Sequence, residues 1–385
     1  MEPIALEPLD MPDTTPNPAL LPHGLRDLLP PDAEIEAASV GTLMAVFAAH
    51  GYERVKPPLI EFEDSLLAGA GAAMADQIFR VMDPETHRML GVRADMTPQV
   101  ARIATTRMGH MPRPLRLSYA GQCLRLQAVA PAADRQVAQA GIELIGADSA
   151  VADAETVLVA AEALAALGLD RISIDLTLPM LAPALLDGAG LTGPARQGLA
   201  HALDRKDAAA VRDQGGALAP LLNRLLEVAG PAAPALAALT GLDLPPAAGA
   251  LIDRLRAVVA AIAAQSPALR LTLDPIEFRG FAYHTGVCAT LYALGRHEVL
   301  GQGGAYRSGE EPATGITLFP DAVLRACAPG PRRTRVFVPA GTPGTVAAAL
   351  RAQGHATVAA LGMDDPARLG CTHIVKDGAA VPLED

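Results

Sequence analysis

The chain has 385 residues, half of them apolar, and a formal net charge of −11 from 31 Lys plus Arg against 42 Asp plus Glu. That length predicts two or three domains around a sizeable core and excludes global disorder. Three lysines (Lys56, Lys206 and Lys376) and scattered arginines make no basic stripe, so composition argues against nucleic-acid binding.

No apolar run approaches ~20 residues, and the acidic, Pro-rich start lacks the basic and apolar regions of a secretory signal. A soluble cytoplasmic protein without membrane contact is expected. Cys123, Cys288, Cys327 and Cys371 form no CxxC and have no zinc-ligand spacing, so reduced thiols and no metal site are predicted.

In chain order, residues 1–20 read as a loose tail. The segment 31–50 reads as a helix: Asp32, Glu34 and Glu36 suit the positive end of its dipole, Ile35, Leu43, Val46 and Phe47 share a face, and Gly51 stops it. Residues 52–56 read as a short strand, which Pro57 and Pro58 confine to an edge or an interface. Strands at 77–82 and 88–93 flank the turn 83–86. Asp95 or Thr97 then caps a helix running from Pro98.

The strongest strand pair is 115–126 with 136–147, joined by a long loop at 128–134. In the second strand Ala138, Ala140, Ile142 and Leu144 take one face, and Gln139, Gly141 and Glu143 the other. A helix follows at 150–167 and a strand at 171–176. Residues 180–266 have helical periodicity and read as an inserted module. Strands return at 269–274, 283–292 and 295–301, followed by Gly301-Gln302-Gly303-Gly304. Residues 331–385 read as a small α/β appendage: strand, helix, strand, a short helix, and a strand near 373–376.

Two segments carry chemistry. On the strand 136–147, an amide, a bare backbone and a carboxylate stand in a row, where a ligand can approach the sheet closely. By itself this reads equally as the wet face of an antiparallel sheet. At 277–286, Arg279 precedes a glycine, with Tyr283 and His284 at the start of the next strand; its guanidinium, like that of Arg125, can fork onto a carboxylate or phosphate. Taken alone, each arginine reads first as an ordinary surface residue.

Taken together the segments resemble histidyl-tRNA synthetases over about residues 20–325. The resemblance rests on the entry Pro22-His23-Gly24-Leu25-Arg26-Asp27, the helix with Gly51-Tyr52-Glu53-Arg54-Val55-Lys56-Pro57-Pro58 as motif 1, and Arg93-Ala94-Asp95-Met96-Thr97-Pro98. It continues through Tyr119–Gly146 as motif 2 and Arg279–Gly286 as the histidine-specific loop. It implies an α+β fold: a class II aminoacyl-tRNA synthetase-like antiparallel sheet flanked by helices. The core spans 21–330, with a helical insertion at 180–266 and a truncated module at 331–385.

The departures from the pattern fall on the ATP side. Where motif 3 ends in Gly-x-x-x-Gly-x-Glu-Arg, the chain reads Gly315-Ile316-Thr317-Leu318-Phe319-Pro320-Asp321-Ala322. The Arg-x-Glu of motif 2 becomes Arg125-Leu126-Gln127, and the loop 128–133 has no charged residue. Each missing charge-assisted hydrogen bond is worth ~1.5–3 kcal/mol.

The histidine side is kept, and this combination resembles the regulatory subunits of ATP phosphoribosyltransferase. That resemblance implies a non-catalytic chain without cofactor that dimerises through 31–58 and joins a short catalytic subunit, in a hetero-octamer, to confer feedback inhibition by histidine. It further implies that Asp95 and Thr97 hold the ligand ammonium and that Gln139 and Glu143 meet the ammonium or the imidazole. Arg279 would face the carboxylate and Tyr283 close the imidazole side, with Arg125 and His284 completing the site. The alternatives are a divergent histidyl-tRNA synthetase and another amino-acid-sensing paralogue.

Overall fold

The computed structural model describes residues 20–127, 134–169, 171–277, 283–295, 298–327, 333–362 and 364–383. The expected tail, the loop 128–133 and Arg279 lie outside the described residues. The chain divides into two compact units, 1–327 and 328–385.

The first unit is built on a nine-stranded, mostly antiparallel sheet. Its strands are β1 (Glu53–Arg54), β5 (Leu115–Leu124), β6 (Gln136–Ile145), β7 (Ile172–Thr177), β8 (Gly230–Pro231), β9 (Arg270–Leu273), β10 (Cys288–Ala293), β11 (Val299–Ser308) and β12 (Glu311–Leu318). The spatial order is β1-β5-β6-β12-β11-β10-β7-β9-β8, so β11–β12, the last hairpin in sequence, is inserted beside β6. A smaller sheet of β2 (Ile60–Phe62), β3 (Phe79–Met82) and β4 (Met89–Val92) has the order β2-β4-β3.

Helix α1 (Asp32–Ala49) buries Leu43 and Phe47 of the predicted face together with Ser39 and Met44, while Ile35 and Val46 are half-buried. It ends at His50, whose Nε2 lies 2.9 Å from Glu162 Oε2. Tyr52 is buried behind it, and β1 is an edge strand paired in parallel with β5, as the two prolines require. A four-residue helix α2 (Glu63–Leu66) and α3 (Thr97–Thr106) follow. Helix α4 (Ala150–Ala165) starts on Ser149, whose side chain accepts from Ala152 N–H.

The helical segment comprises α5 (Leu181–Gly188), α6 (Gly193–Asp204), α7 (Ala208–Gln214), α8 (Ala219–Glu227), α9 (Ala232–Thr240) and α10 (Pro246–Gln265). Its buried side chains, from Leu181 to Ile262, belong to the same apolar cluster as Leu43, Ile142, Leu176 and Val323. Arg254 on α10 ties it to α4 through Asp153 at 2.8 Å. Helix α11 (Pro320–Ala326) closes the unit and buries Ala322 and Val323. Among the described residues, no helix is long and apolar enough to cross a membrane.

The structure corrects the expected elements at several points. The strand expected at 295–301 runs from Val299 to Ser308, so the glycine run lies inside β11 and not after it. Glycine is depleted in strands because it has no side chain to pack. Here, however, a Cβ on Gly303 would lie 2.0 Å from the carbonyl of Gly315, and the closeness of β12 imposes the bare residue. The strand expected from 283 begins at Cys288, so Tyr283 and His284 stand on the approach. The wet-face reading of β6 also fails: Gln139 is 2% and Glu143 1% exposed, held beneath Met96 and Thr97 at the start of α3.

The second unit holds β13 (Arg335–Val338), α12 (Gly344–Ala352), β14 (Ala356–Ala359), β15 (His373–Lys376) and β16 (Ala379–Pro382), in the order β14-β13-β15-β16. Val336, Val338, Leu350 and Val375 form its core. Residues 366–370 form a turn where a short helix is expected, and β16 is an additional strand.

Candidate functional site

Strands β5 and β6 pair in antiparallel register, Leu117 opposite Glu143, Tyr119 opposite Gly141 and Gly121 opposite Gln139. Opposed residues point to the same side, so Tyr119, Gln139 and Glu143 share one face. The chain leaving β4 crosses this face. Arg93 fixes the crossing by donating to the carbonyls of Gln122 (2.8 Å) and Pro57 (3.1 Å). The next residues, Asp95-Met96-Thr97, open α3. Asp95 Oδ1 accepts from Thr97 N–H at 3.0 Å, so Asp95 supplies the N-terminal carboxylate of the helix. The residue at the formal cap position is Met96, without a side-chain bond.

Gln139 is locked in place. Its Oε1 accepts from Met96 N–H (3.0 Å) and from the thiol of Cys123 (3.2 Å). Burial pushes the Cys123 thiol up to about 12, with Asp95 adding to the shift, so the sulfur is a packing group and a weak donor.

Glu143 is the centre of the arrangement. Its Oε1 accepts from Thr97 Oγ1 (3.0 Å) and Tyr119 OH (3.1 Å), and its Oε2 accepts from Tyr306 OH (2.9 Å). Tyr119 OH also lies 3.2 Å from Thr97 Oγ1 and 2.7 Å from Thr317 Oγ1. Burial pushes the Glu143 carboxyl up to about 8; the hydroxyls of Tyr306, Thr97 and Tyr119 hold it down, and Asp95 repels the charge. Tyr283 stacks on His284 with ring centroids 4.3 Å apart and meets Tyr306 edge-on at 5.9 Å. Burial keeps the His284 imidazole neutral, down to about 4.

These side chains converge on a single pocket, lined by Asp95, Thr97, Arg125, Gln139, Glu143, Tyr283 and His284. Every expected site residue that the structure describes is therefore on one wall or another of a single cavity. Gln302, Tyr306 and Thr317, to which the sequence assigned no role, also line it, as does Phe319, which stands at a glycine position of motif 3. One signal was available for Tyr306: once the strand extends through the glycines, Gln302, Gly304 and Tyr306 fall on one face at period two.

The donor set is two-sided. Asp95, Glu143 and a ring of hydroxyls favour a cationic or N–H-bearing group, the aromatic wall favours a flat ring, and Arg125 offers a guanidinium whose Nε has no partner among the described residues. The arrangement suits a small zwitterion with a planar nitrogen-containing side chain.

A family model described as histidyl-tRNA synthetase matches residues 24–323. The ATP phosphoribosyltransferase regulatory subunit of Paramagnetospirillum magneticum is 56% identical over 378 residues, 96% of this chain and 99% of the relative. That of Gluconobacter oxydans is 50% identical over 374 residues, 96% and 98%. The fold is shared with a Bacillus halodurans structure titled ATP phosphoribosyltransferase regulatory subunit/histidyl-tRNA synthetase (TM-score 0.80, 22% identity, 93% of this chain and 97% of that one). It is also shared with the histidyl-tRNA synthetase of Nostoc (TM-score 0.77, 16% identity, 93% and 91%).

Fold and sequence together define a class II, histidyl-tRNA-synthetase-like architecture. Within it, the chain belongs to the family of ATP phosphoribosyltransferase regulatory subunits.

Proposed function

We propose that this chain is the non-catalytic, histidine-sensing subunit of an ATP phosphoribosyltransferase. In this reading it is required for the activity of a short catalytic subunit and transmits feedback inhibition by histidine in the cytoplasm. The observation that carries the reading is the convergence of Asp95, Thr97, Gln139, Glu143, Tyr283 and His284 on one cavity, acceptors and aromatic rings together. Asp95, Thr97 and Gln139 hold the ammonium, and Glu143 with Tyr306 meets the imidazole between the aromatic rings. Arg125, with Arg279, takes the carboxylate.

The ATP side supports a non-catalytic role. Phe319, at a glycine position of the synthetase pattern, puts a ring against the cavity, and Ala322, at the arginine position, is buried in the apolar core. Dimerisation through residues 31–58 fits the edge position of β1, whose outer side has no strand partner in this sheet.

Histidine inhibits only by binding the inhibited assembly more tightly than the active one. Isothermal titration of the purified chain with histidine and, separately, with ATP tests the reading, together with pyrophosphate exchange. Histidine binding without ATP binding or exchange is expected; binding of both with exchange would establish the divergent-synthetase alternative, which the retained Arg125 favours.

A further inference from the structure

The hydrogens around Glu143 can be counted. Five short oxygen–oxygen contacts join Glu143, Thr97, Tyr119, Tyr306 and Thr317. The four hydroxyls supply four hydrogens, so a carboxylate leaves the Thr97–Tyr119 contact without one. A protonated carboxyl supplies the fifth. Oε1–H then donates to Thr97, Thr97 and Thr317 donate to Tyr119, Tyr119 donates to Oε1, and Tyr306 donates to Oε2. Turning the Thr97 hydrogen from Tyr119 to Oε1 restores the three-donor cage of an ionised Glu143. The two states therefore differ only in hydroxyl rotation and one proton, with no heavy-atom movement.

The groups facing Glu143 from each neighbouring element match this. Asp95 and Thr97 come from the start of α3, Tyr119 from β5, Tyr306 from β11, Thr317 from β12, and Tyr283 and His284 from the approach to β10. Asp95 disfavours a second negative charge, and His284 is neutral. Arg125, the cationic side chain lining the same cavity, makes no hydrogen bond to Glu143 among the described residues.

Resting on the histidine reading above, we infer that Glu143 is a proton donor to its ligand: on binding, the carboxyl proton passes to the ring nitrogen of a neutral imidazole. The Oε–H bond breaks, the N–H bond forms, and the Thr97 hydroxyl turns to Oε1 to join Tyr119 and Tyr306 in holding the carboxylate. The resulting carboxylate–imidazolium pair shares one proton in total. The site thereby discriminates for basicity as well as shape, since a flat ring that cannot accept the proton leaves no charge pair.

The consequence is a proton inventory. Near pH 7.5 the free ring is neutral, with an ordinary pKa of about 6.5, and the empty site carries the proton, so binding exchanges none at this pair. At higher pH the pair must take a proton up; at lower pH it must lose one. Affinity therefore passes through a plateau between about pH 6.5 and 8 and falls on both sides.

The test uses the purified full chain with ring-¹⁵N histidine at pH 7.5. Bound-state ¹⁵N shifts of an imidazolium are expected although the free ligand is neutral; a bound neutral tautomer would overturn the inference. Glu143→Gln should bind at least about tenfold more weakly and show the bound ring neutral. Retention of the imidazolium in that variant would equally overturn it. The analogue carrying a 1,2,4-triazole ring, far less basic and of the same shape, should lose about tenfold or more on the wild-type chain only; equal loss on Glu143→Gln counts against the inference. Absence of histidine binding at every pH removes the histidine reading and this inference together, whereas binding of a neutral ring removes only the latter.

Discussion

Glu143 stands directly opposite Gly315 in the β6–β12 ladder, and a Cβ added at position 315 would lie 1.9 Å from Glu143 Oε2 and 2.6 Å from the carbonyl of Ile142. The carboxyl thus lies over the bare backbone of the neighbouring strand, where its three hydroxyl donors reach it. Gly315→Ala should displace the carboxyl, cost about 1–3 kcal/mol of stability as a case of overpacking, and abolish histidine binding. Thermal unfolding together with ligand titration measures both.

The pH dependence of stability follows from the same group. The folded Glu143 carboxyl, at about 8, lies above its unfolded value of 4.5, so the folded state holds the extra proton between them. Its contribution is fully present below about pH 4.5 and is lost as pH rises through about 8. Each unit of difference corresponds to ~1.4 kcal/mol. His284 acts in the opposite sense: its folded value of about 4 is below 6.5, so stability is lost as pH falls through that window. In Glu143→Gln the alkaline decline between pH 5 and 8 should flatten while the acid-side loss persists, as unfolding midpoints across pH would reveal.

Asp95 is half-buried and its hydrogen bond is to a local backbone N–H. Asp95→Ala should therefore cost about 1 kcal/mol of stability and reduce histidine affinity at least about tenfold. In an assembly with the catalytic subunit it should desensitise inhibition while activation and assembly survive. Inhibition of unchanged sensitivity would remove Asp95 from the ligand site.

The α4–α10 contact gives a stability test away from the cavity. Asp153 is 4% exposed, and Arg254 reaches it at 2.8 Å and Asp148 at 3.2 Å. Arg254→Met leaves the buried carboxyl without its cation and should destabilise the chain by about 2–4 kcal/mol. Asp153→Asn combined with it should recover part of the loss in denaturant unfolding.

Thiol reactivity offers a check on the packing. Cys123 and Cys288 are buried and burial raises both thiols; Cys371 is also buried, whereas Cys327 is half-exposed. Native protein should react with a thiol reagent slowly and chiefly at Cys327, and all four should react in denaturant.

Much of the site was legible because its residues sit at positions that local rules expose. Period-two alternation put Gln139 and Glu143 on one face, and the Asp-x-Thr-Pro signature put Asp95 and Thr97 at a helix start. Whether that face was wet or dry was not legible, because the cover is the start of α3, brought there by tertiary contacts. Tyr306 and Thr317 were missed for a related reason. Their strands are broken in appearance by Gly301, Gly303, Gly304 and Gly315, and local propensity cannot register that a neighbouring backbone demands the absence of a side chain. Gly304, at φ +151°, adopts a conformation that other residues rarely take.

The continuity of the main core has a consequence for cooperativity. Helices α5–α10 bury their side chains in the cluster that also backs β6, β7, β10 and β12, so they behave as a girder behind the main sheet. Excising them would open the rear of β7 and β9 to water. Residues up to 327 should melt in a single calorimetric transition, and a ligand tightening the cavity should slow amide exchange in helices that never touch it.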